Sequence, residues 1–377
     1  MKIIKINLIL LFCLLFVIDI TLWIFFPIPN FRAEINKNSY IPSSFEANQV
    51  FNFTSNEGLY DIDSNIVFST NNFGFRGDDI KNPKEEGEFR IFLVGGSTTE
   101  NLYIDDSKSL EKRIENQLLL AGGKQKITVY NAGKSGDIST DHLSMISHRI
   151  NHLEADLIVL FCGINDFRRS ISSYNYIQMP KMKTLSNSEK LKNTLNSFSQ
   201  IIRRVLMVKN NISSDSEKIT FSSRYQKLFN KTKGLQEIPL NKKYSTKFYE
   251  NNLRSIVGIC ETNNIELILM TQPTTWGNQE SDKIMQCHWM TIANDKEKYL
   301  EDDLIIGLNH FNNITRKISK ENNLKLVDLD SLMIKSEANF FDDCHFNNGG
   351  VIKSSKIISK VILSNKTIIC LSKRNNF

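Results

Sequence analysis

The sequence predicts an α/β fold: a three-layer α/β/α sandwich with a central parallel sheet, preceded by an N-terminal transmembrane helix. Three observations carry that expectation. Strand-type and helix-type segments alternate from Phe89 to Leu363. The stretch Asp156–Cys162 is nearly all apolar past its first residue, as a strand buried on both faces requires. Residues 6–26 form an apolar run interrupted only by Asn7, Asp19 and Thr21. A chain of 377 residues has ample material for a large core.

The apolar run is long enough to cross a hydrocarbon core of about 30 Å as a helix. Trp23 lies near its far end, where interfacial aromatics are common, and Pro27 and Pro29 close it. A cleaved signal peptide would have a shorter apolar region, and no small-x-small site follows Phe26. An uncleaved signal anchor over residues 1–26 is preferred. Lys2 and Lys5 favour an inside N-terminus and a single-pass chain with its bulk on the periplasmic or extracellular side, although Arg32 and Lys37 reduce the asymmetry. A charge at Asp19 is costly in lipid unless it meets a partner; it marks either a helix contact or a tolerated, idle position.

Residues 27–88 are polar and lack helical periodicity, as a spacer that wraps the domain would. Within them, Asn72-Phe73-Gly74-Phe75-Arg76-Gly77 reads as a structural turn packed on that domain. The regular alternation then begins. Strands are expected at Phe89–Gly95, Ile127–Asn131, Asp156–Cys162, Glu266–Gln272 and Leu324–Leu329. Helices are expected at Lys108–Leu120, Thr140–Leu153, Thr246–Asn263, Asn309–Glu321 and Gly350–Leu363. Such order argues for parallel strands with helices on both faces.

Residues 169–245 interrupt the pattern inside a domain spanning 89–370. They are polar and uneven, and basic in their second half, with Leu195, Phe198, Ile202, Val205 and Leu206 at helical spacing. An insertion packed on the core is preferred over a lid or a membrane-facing helix. The formal charge of +6 is modest and no basic block dominates, so nucleic acid is not an expected partner. Cys162, Cys260, Cys287, Cys344 and Cys370 have scattered spacing, which suits buried thiols rather than a disulfide framework or metal site.

The chemistry begins at Leu93-Val94-Gly95-Gly96-Ser97-Thr98-Thr99, where a strand stops at two glycines and a serine follows. The glycines let the backbone turn and leave the hydroxyl at the sheet edge. Such a serine needs a base, and the base an orienting group. Of six histidines, His142, His148 and His152 fall on one expected surface helix, and His288 and His310 sit in ambiguous polar surroundings. His345 differs, because Asp342 lies three residues before it in a turn between the last strand and last helix. That spacing can set a carboxylate against one imidazole nitrogen and leave the other for a serine. Asn165, in Gly163-Ile164-Asn165-Asp166, could donate to an oxyanion. The loop Asn131-Ala132-Gly133-Lys134-Ser135-Gly136-Asp137 offers a glycine whose N–H could approach a reacting oxygen. All four elements fall at the C-terminal ends of expected parallel strands, where open α/β sheets hold their sites.

On these residues the chain resembles the SGNH hydrolases, the GDSL-type esterase and lipase superfamily, over roughly Phe89 to Leu363. The nucleophile matches Ser97, the family glycine best matches Gly136 (with Gly133 a rival), the asparagine matches Asn165, and the Asp-x-x-His signature matches Asp342 and His345. The usual Gly-Asp-Ser is Gly-Gly-Ser here. The Asn72–Gly77 turn is similar to one found upstream of the serine in membrane-anchored bacterial members. The resemblance implies a flavodoxin-like SGNH fold and acyl transfer without metal or other cofactor. It implies Ser97 as nucleophile, His345 as base, Asp342 as its orienting group, and an oxyanion hole from the Ser97 and Gly136 N–H groups and the Asn165 amide. An acylated cell-envelope carbohydrate, or another ester, is the implied substrate. An O-acyltransferase would use the same residues. A silent glycan-binding domain would have no need of all four, and a phosphate-binding loop lacks its Gly-Lys-Ser/Thr or Gly-x-Gly-x-x-Gly signature.

Overall fold

The computed structural model describes residues 2–27, 45–54, 59–121, 126–172, 199–205, 234–241, 244–277, 282–285 and 287–364. Most of the expected insertion, and Cys370, lie outside the described residues. Helix α1 (Lys2–Phe25) is long and apolar enough to cross a membrane, and its apolar span Ile4–Phe25 has no buried share. Asp19 does have partners: its Oδ1 accepts from Ser199 Oγ at 3.0 Å and from the Ile201 N–H at 2.7 Å. Arg203 lies over the Trp23 ring at 5.5 Å, and Arg204 donates to the Phe26 carbonyl. The charge in the apolar run therefore marks a contact with residues 199–205.

The wrapping segment contains a hairpin that the sequence did not reveal. Strands β1 (Val50–Thr54) and β2 (Asn65–Ser69) pair antiparallel. Phe51 and Phe68 bury with Phe45 and Leu102 in a satellite cluster. Asn72–Gly77 does pack on the domain. Arg76 exchanges both backbone hydrogen bonds with Asn131, and its buried guanidinium donates to Asp106 Oδ1 at 2.7 Å and to the carbonyls of Glu100 and Asn101 at 3.2 and 3.0 Å.

The central sheet is entirely parallel. Its strands are β3 (Glu88–Gly95), β4 (Lys126–Asn131), β5 (Leu157–Phe161), β7 (Glu266–Met270) and β9 (Lys325–Val327), in the spatial order β4-β3-β5-β7-β9. The strands β6 (Gln236–Ile238) and β8 (Glu297–Tyr299) form a separate short pair. Alternation along β3 sends Phe89, Ile91 and Leu93 to one face, against α3 (Leu110–Leu120) and α8 (Asn348–Leu363). Phe92 and Val94 point the other way, toward α4 (Ser139–His148), α5 (Ile164–Ile171), α6 (Lys247–Thr262) and α7 (Glu301–Glu321). Both sheet faces are thus covered, giving three layers. The order reverses between β3 and β5, the switch point at which such sheets open a crevice beyond their carboxyl ends.

Two element boundaries depart from expectation. Helix α7 starts eight residues earlier, at Glu301; Glu301, Asp302 and Asp303 form its acidic first turn, a signal that Gly307 obscures in sequence. The expected second helix ends at His148 and is followed by a 3₁₀ turn, Ile150–His152. At the end of β3 remote from the switch point, Arg90 is fully buried yet satisfied. It bonds both oxygens of Glu88, at 3.0 Å each, and the carbonyls of Leu153 and Lys81.

Candidate active site

The nucleophile turn is built from close approaches. A Cβ at Gly95 would lie 2.1 Å from Thr99 Oγ1 and 2.4 Å from the Phe161 carbonyl, so a side chain there would separate β3 from both β5 and the following turn. At Gly96 a Cβ would come within 2.7 Å of Asn165 Nδ2. The Asn165 amide therefore packs directly against the Gly96 backbone. Ser97 opens helix α2 (Ser97–Glu100), a position where a backbone N–H has no acceptor within the helix.

Ser97, His345 and Asp342 come together. His345 Nε2 lies 2.8 Å from Ser97 Oγ across 248 residues of sequence, and His345 Nδ1 lies 2.7 Å from Asp342 Oδ2. Asp342 is fully buried and Ser97 half-buried. Its other oxygen, Oδ1, accepts from the backbone N–H groups of Cys344 at 3.0 Å and His345 at 2.8 Å. With a carboxylate facing Nδ1, that nitrogen carries the proton, and Nε2 is left to accept from the serine hydroxyl. Burial alone would push the imidazole below its ordinary range. The charge and hydrogen bond of Asp342, with Asp343 and Glu100 further off, carry it above that range instead.

Asn165 sits in the first turn of α5, and its Nδ2 donates to the Asp137 carbonyl at 2.9 Å. That bond sets the amide beside the loop carrying Gly136, which is exposed with φ +86°. The rival Gly133 is a packing residue. A Cβ on it would lie 2.3 Å from the Glu100 N atom and 2.7 Å from the Thr99 carbonyl carbon. The Gly133 N–H is moreover already given to Asn131 Oδ1 at 2.9 Å. The loop is braced from below, since Ser135 Oγ donates to the buried Glu100 carboxylate. Asp166 accepts from the Ser139 N–H and hydroxyl, joining α5 to the start of α4.

Several contributors escape sequence reasoning. Trp289 donates from Nε1 to Asp342 Oδ2 at 3.0 Å, and no periodicity or motif in Cys287-His288-Trp289-Met290 signals it. Asp343 accepts from Trp276 Nε1 at 2.6 Å and from the Met290 N–H. Burial, with the adjacent Asp342 charge, pushes Asp343 up to about 6 against the pull of His288. The spacing named Asp342 as the carboxylate that meets the histidine; what it did not signal is the partner set of its neighbour Asp343.

The remaining candidates sort apart. His142 faces inward rather than to the surface, and burial pushes it down to about 3, whereas His148 and His152 are exposed. His310 bonds the Tyr244 hydroxyl at 3.1 Å. Cys162, Cys260, Cys287 and Cys344 are buried free thiols, and Cys13 is exposed on α1. Among the described residues, Asp342, Cys344 and His345 bring possible ligand atoms within 4.8 Å of one another. Asp342 Oδ2 and His345 Nδ1 are already committed to each other there, and burial holds the Cys344 thiol well above its ordinary range, opposing the thiolate a metal needs.

No family model matches the sequence, and no curated protein matches it. Solved structures do. The α/β hydrolase enzyme LAE5 from the metagenome of Lake Arreo is 13% identical, with 75% of this chain and 96% of that chain covered and a TM-score of 0.41. A lipase/acylhydrolase from Enterococcus faecalis is 13% identical, with 73% and 96% covered and a TM-score of 0.39. The acetylxylan esterase Axe2 from Geobacillus stearothermophilus is 16% identical, with 73% and 93% covered and a TM-score of 0.40. At these values the likeness bears on no chemical step. The chemistry rests on the side chains of this chain.

Proposed function

We propose that the protein is a serine esterase of the SGNH, GDSL-type kind, working through an acyl-enzyme. The observation that carries the reading is the 2.8 Å approach of His345 Nε2 to Ser97 Oγ, with Asp342 on the far nitrogen. His345 takes the hydroxyl proton as Oγ bonds to the ester carbonyl carbon, and Asp342 stabilises the imidazolium that forms. The tetrahedral oxyanion is met by the N–H groups of Ser97 and Gly136 and by the second amide hydrogen of Asn165. Collapse breaks the bond to the alkoxide, which leaves with the proton from His345. Water then attacks the acyl-enzyme by the same relay. If a sugar hydroxyl replaces water, the same residues perform acyl transfer.

The substrate class follows from location. With α1 as a single-pass anchor and residues 89–370 outside the cytoplasm, the accessible esters are acyl groups such as acetyl on cell-envelope carbohydrate. The full chain in detergent is expected to release p-nitrophenol from p-nitrophenyl acetate, and Ser97→Ala to abolish that release. Turnover that survives Ser97→Ala sinks the reading. Products analysed with and without an oligosaccharide acceptor separate hydrolysis from transfer.

A further inference from the structure

We propose that Trp289 is a positioning residue for this triad, its indole N–H holding the Asp342 carboxylate and its ring aligning the His345 imidazole. The inference rests on the esterase reading and adds a member to the site. Trp289 Nε1 and His345 Nδ1 converge on the same oxygen, Asp342 Oδ2, at 3.0 and 2.7 Å. The Trp289 ring is also nearly parallel to the imidazole, at 9° with centroids 6.4 Å apart. Phe341 stacks on the same imidazole at 14° and 5.6 Å. Two parallel rings and a carboxylate with donors on both oxygens leave the imidazole few alternative orientations.

A positioning residue must itself be held, and the neighbours of Trp289 are. The Thr275 hydroxyl bridges the two segments, lying 2.9 Å from the Asp342 carbonyl and 2.9 Å from His288 Nε2. His288 Nδ1 faces Glu301 Oε1 at 2.5 Å and donates to it. Burial pulls the His288 imidazole down, and the hydrogen bond to Glu301 with the charge of Asp343 holds it above its ordinary range instead. On the other side, the Met290 N–H donates to both oxygens of Asp343, at 3.2 and 3.1 Å. Residues 288 and 290 thus clamp the peptide on both sides of Trp289 to the acid turn.

The indole N–H draws charge from Asp342 Oδ2. Removing it leaves more charge facing His345 Nδ1, which stabilises the imidazolium and makes the neutral base scarcer at a given pH. The other groups that act on His345 (Asp343, Glu100, the Cys344 thiol and Ser97) are unchanged by the substitution.

The test uses the full chain in detergent with p-nitrophenyl acetate. Trp289→Phe keeps a ring and loses the donor. A benzothienylalanine introduced at 289 by codon suppression keeps the indole shape and loses only the N–H, so it carries the test if the Phe variant fails to fold. Both are expected to lower kcat about 10-fold with KM unchanged. The acid limb of kcat/KM is expected to move up by on the order of half a pH unit. Folded variants with wild-type kcat and an unmoved acid limb overturn the role of Trp289 while leaving the esterase reading intact. Absence of Ser97-dependent turnover in the wild type overturns the esterase reading, and the Trp289 role with it.

Discussion

Gly96→Ala isolates the oxyanion donor without touching the triad. The Gly96 backbone, at φ −86° and ψ −151°, has the negative φ of an L-residue and lies just past the edge of the extended region, so alanine is accommodated with a small backbone adjustment. Its Cβ meets Asn165 Nδ2 at 2.7 Å, and the next atom, the Asp137 carbonyl oxygen, lies at an ordinary 3.5 Å. To restore a normal contact the amide must retreat by about 0.7 Å, and a side-chain end can do so at little cost to the fold. A displacement of that size removes a donor from an oxyanion whose hydrogen bonds work near 3 Å. The expected loss in kcat is about 10²–10³, or about 2.7–4 kcal/mol of transition-state stabilisation. The thermal midpoint is expected to move by no more than a few degrees. Steady-state kinetics on Gly96→Ala, Asn165→Ala and the double variant close the cycle. Because both changes act on one amide, the double variant should be no slower than Asn165→Ala alone. Full activity in Gly96→Ala, or losses that multiply in the double variant, would refute the placement of Asn165 in the oxyanion hole.

Two further predictions concern charge. His345 serves as base only when neutral, and it is held above its ordinary 6.5, so kcat/KM should rise through an acid limb centred above pH 6.5; a limb below that value contradicts the Asp342 pairing. The linkage has the opposite sense for stability. The raised imidazole contributes fully below the unfolded value and loses that contribution as pH rises through the folded one, so the working form is the less stabilised one. Arg76→Met removes the cation from Glu111, which is 3% exposed and otherwise bonded to the Asn131 amide, and from Asp106, and it leaves the Glu100 and Asn101 carbonyls at the end of α2 without their guanidinium donor. Its expected cost is about 3–5 kcal/mol in a denaturant titration, and a loss under about 1 kcal/mol would show that the clamp is dispensable.

The alternation of apolar strands and amphipathic helices was legible because burial on one or two faces leaves a period in the chain. The ends of the strands were legible too, since glycines and polar residues must stand where a sheet edge turns. Ser97 and Asn165 were singled out that way, and Asp342 and His345 by their spacing in one turn. The β1–β2 hairpin was not legible, because each strand is only five residues long, so the alternation that buries Ile66 and Phe68 is too short to stand out in a polar segment. The start of α7 was hidden by a glycine inside an otherwise helical stretch. The preference for Gly136 over Gly133 came from the motif match, with no physical signal in the sequence to exclude the rival. Packing explains Gly133 separately, because Glu100 and Thr99 crowd it.

The sequence by itself determined the fold class and the residue types that stand at the strand ends, because both follow from local periodicity and local turn chemistry. The tertiary structure decided which of them meet. The contact between Ser97 and His345 spans 248 positions, and Trp289 reaches Asp342 across 53. Distances of that kind are set by the strand order β4-β3-β5-β7-β9 and by the loops that order brings to one edge. No local pattern encodes them, since a hydrogen bond about 3 Å long depends on the packing of every element between its partners.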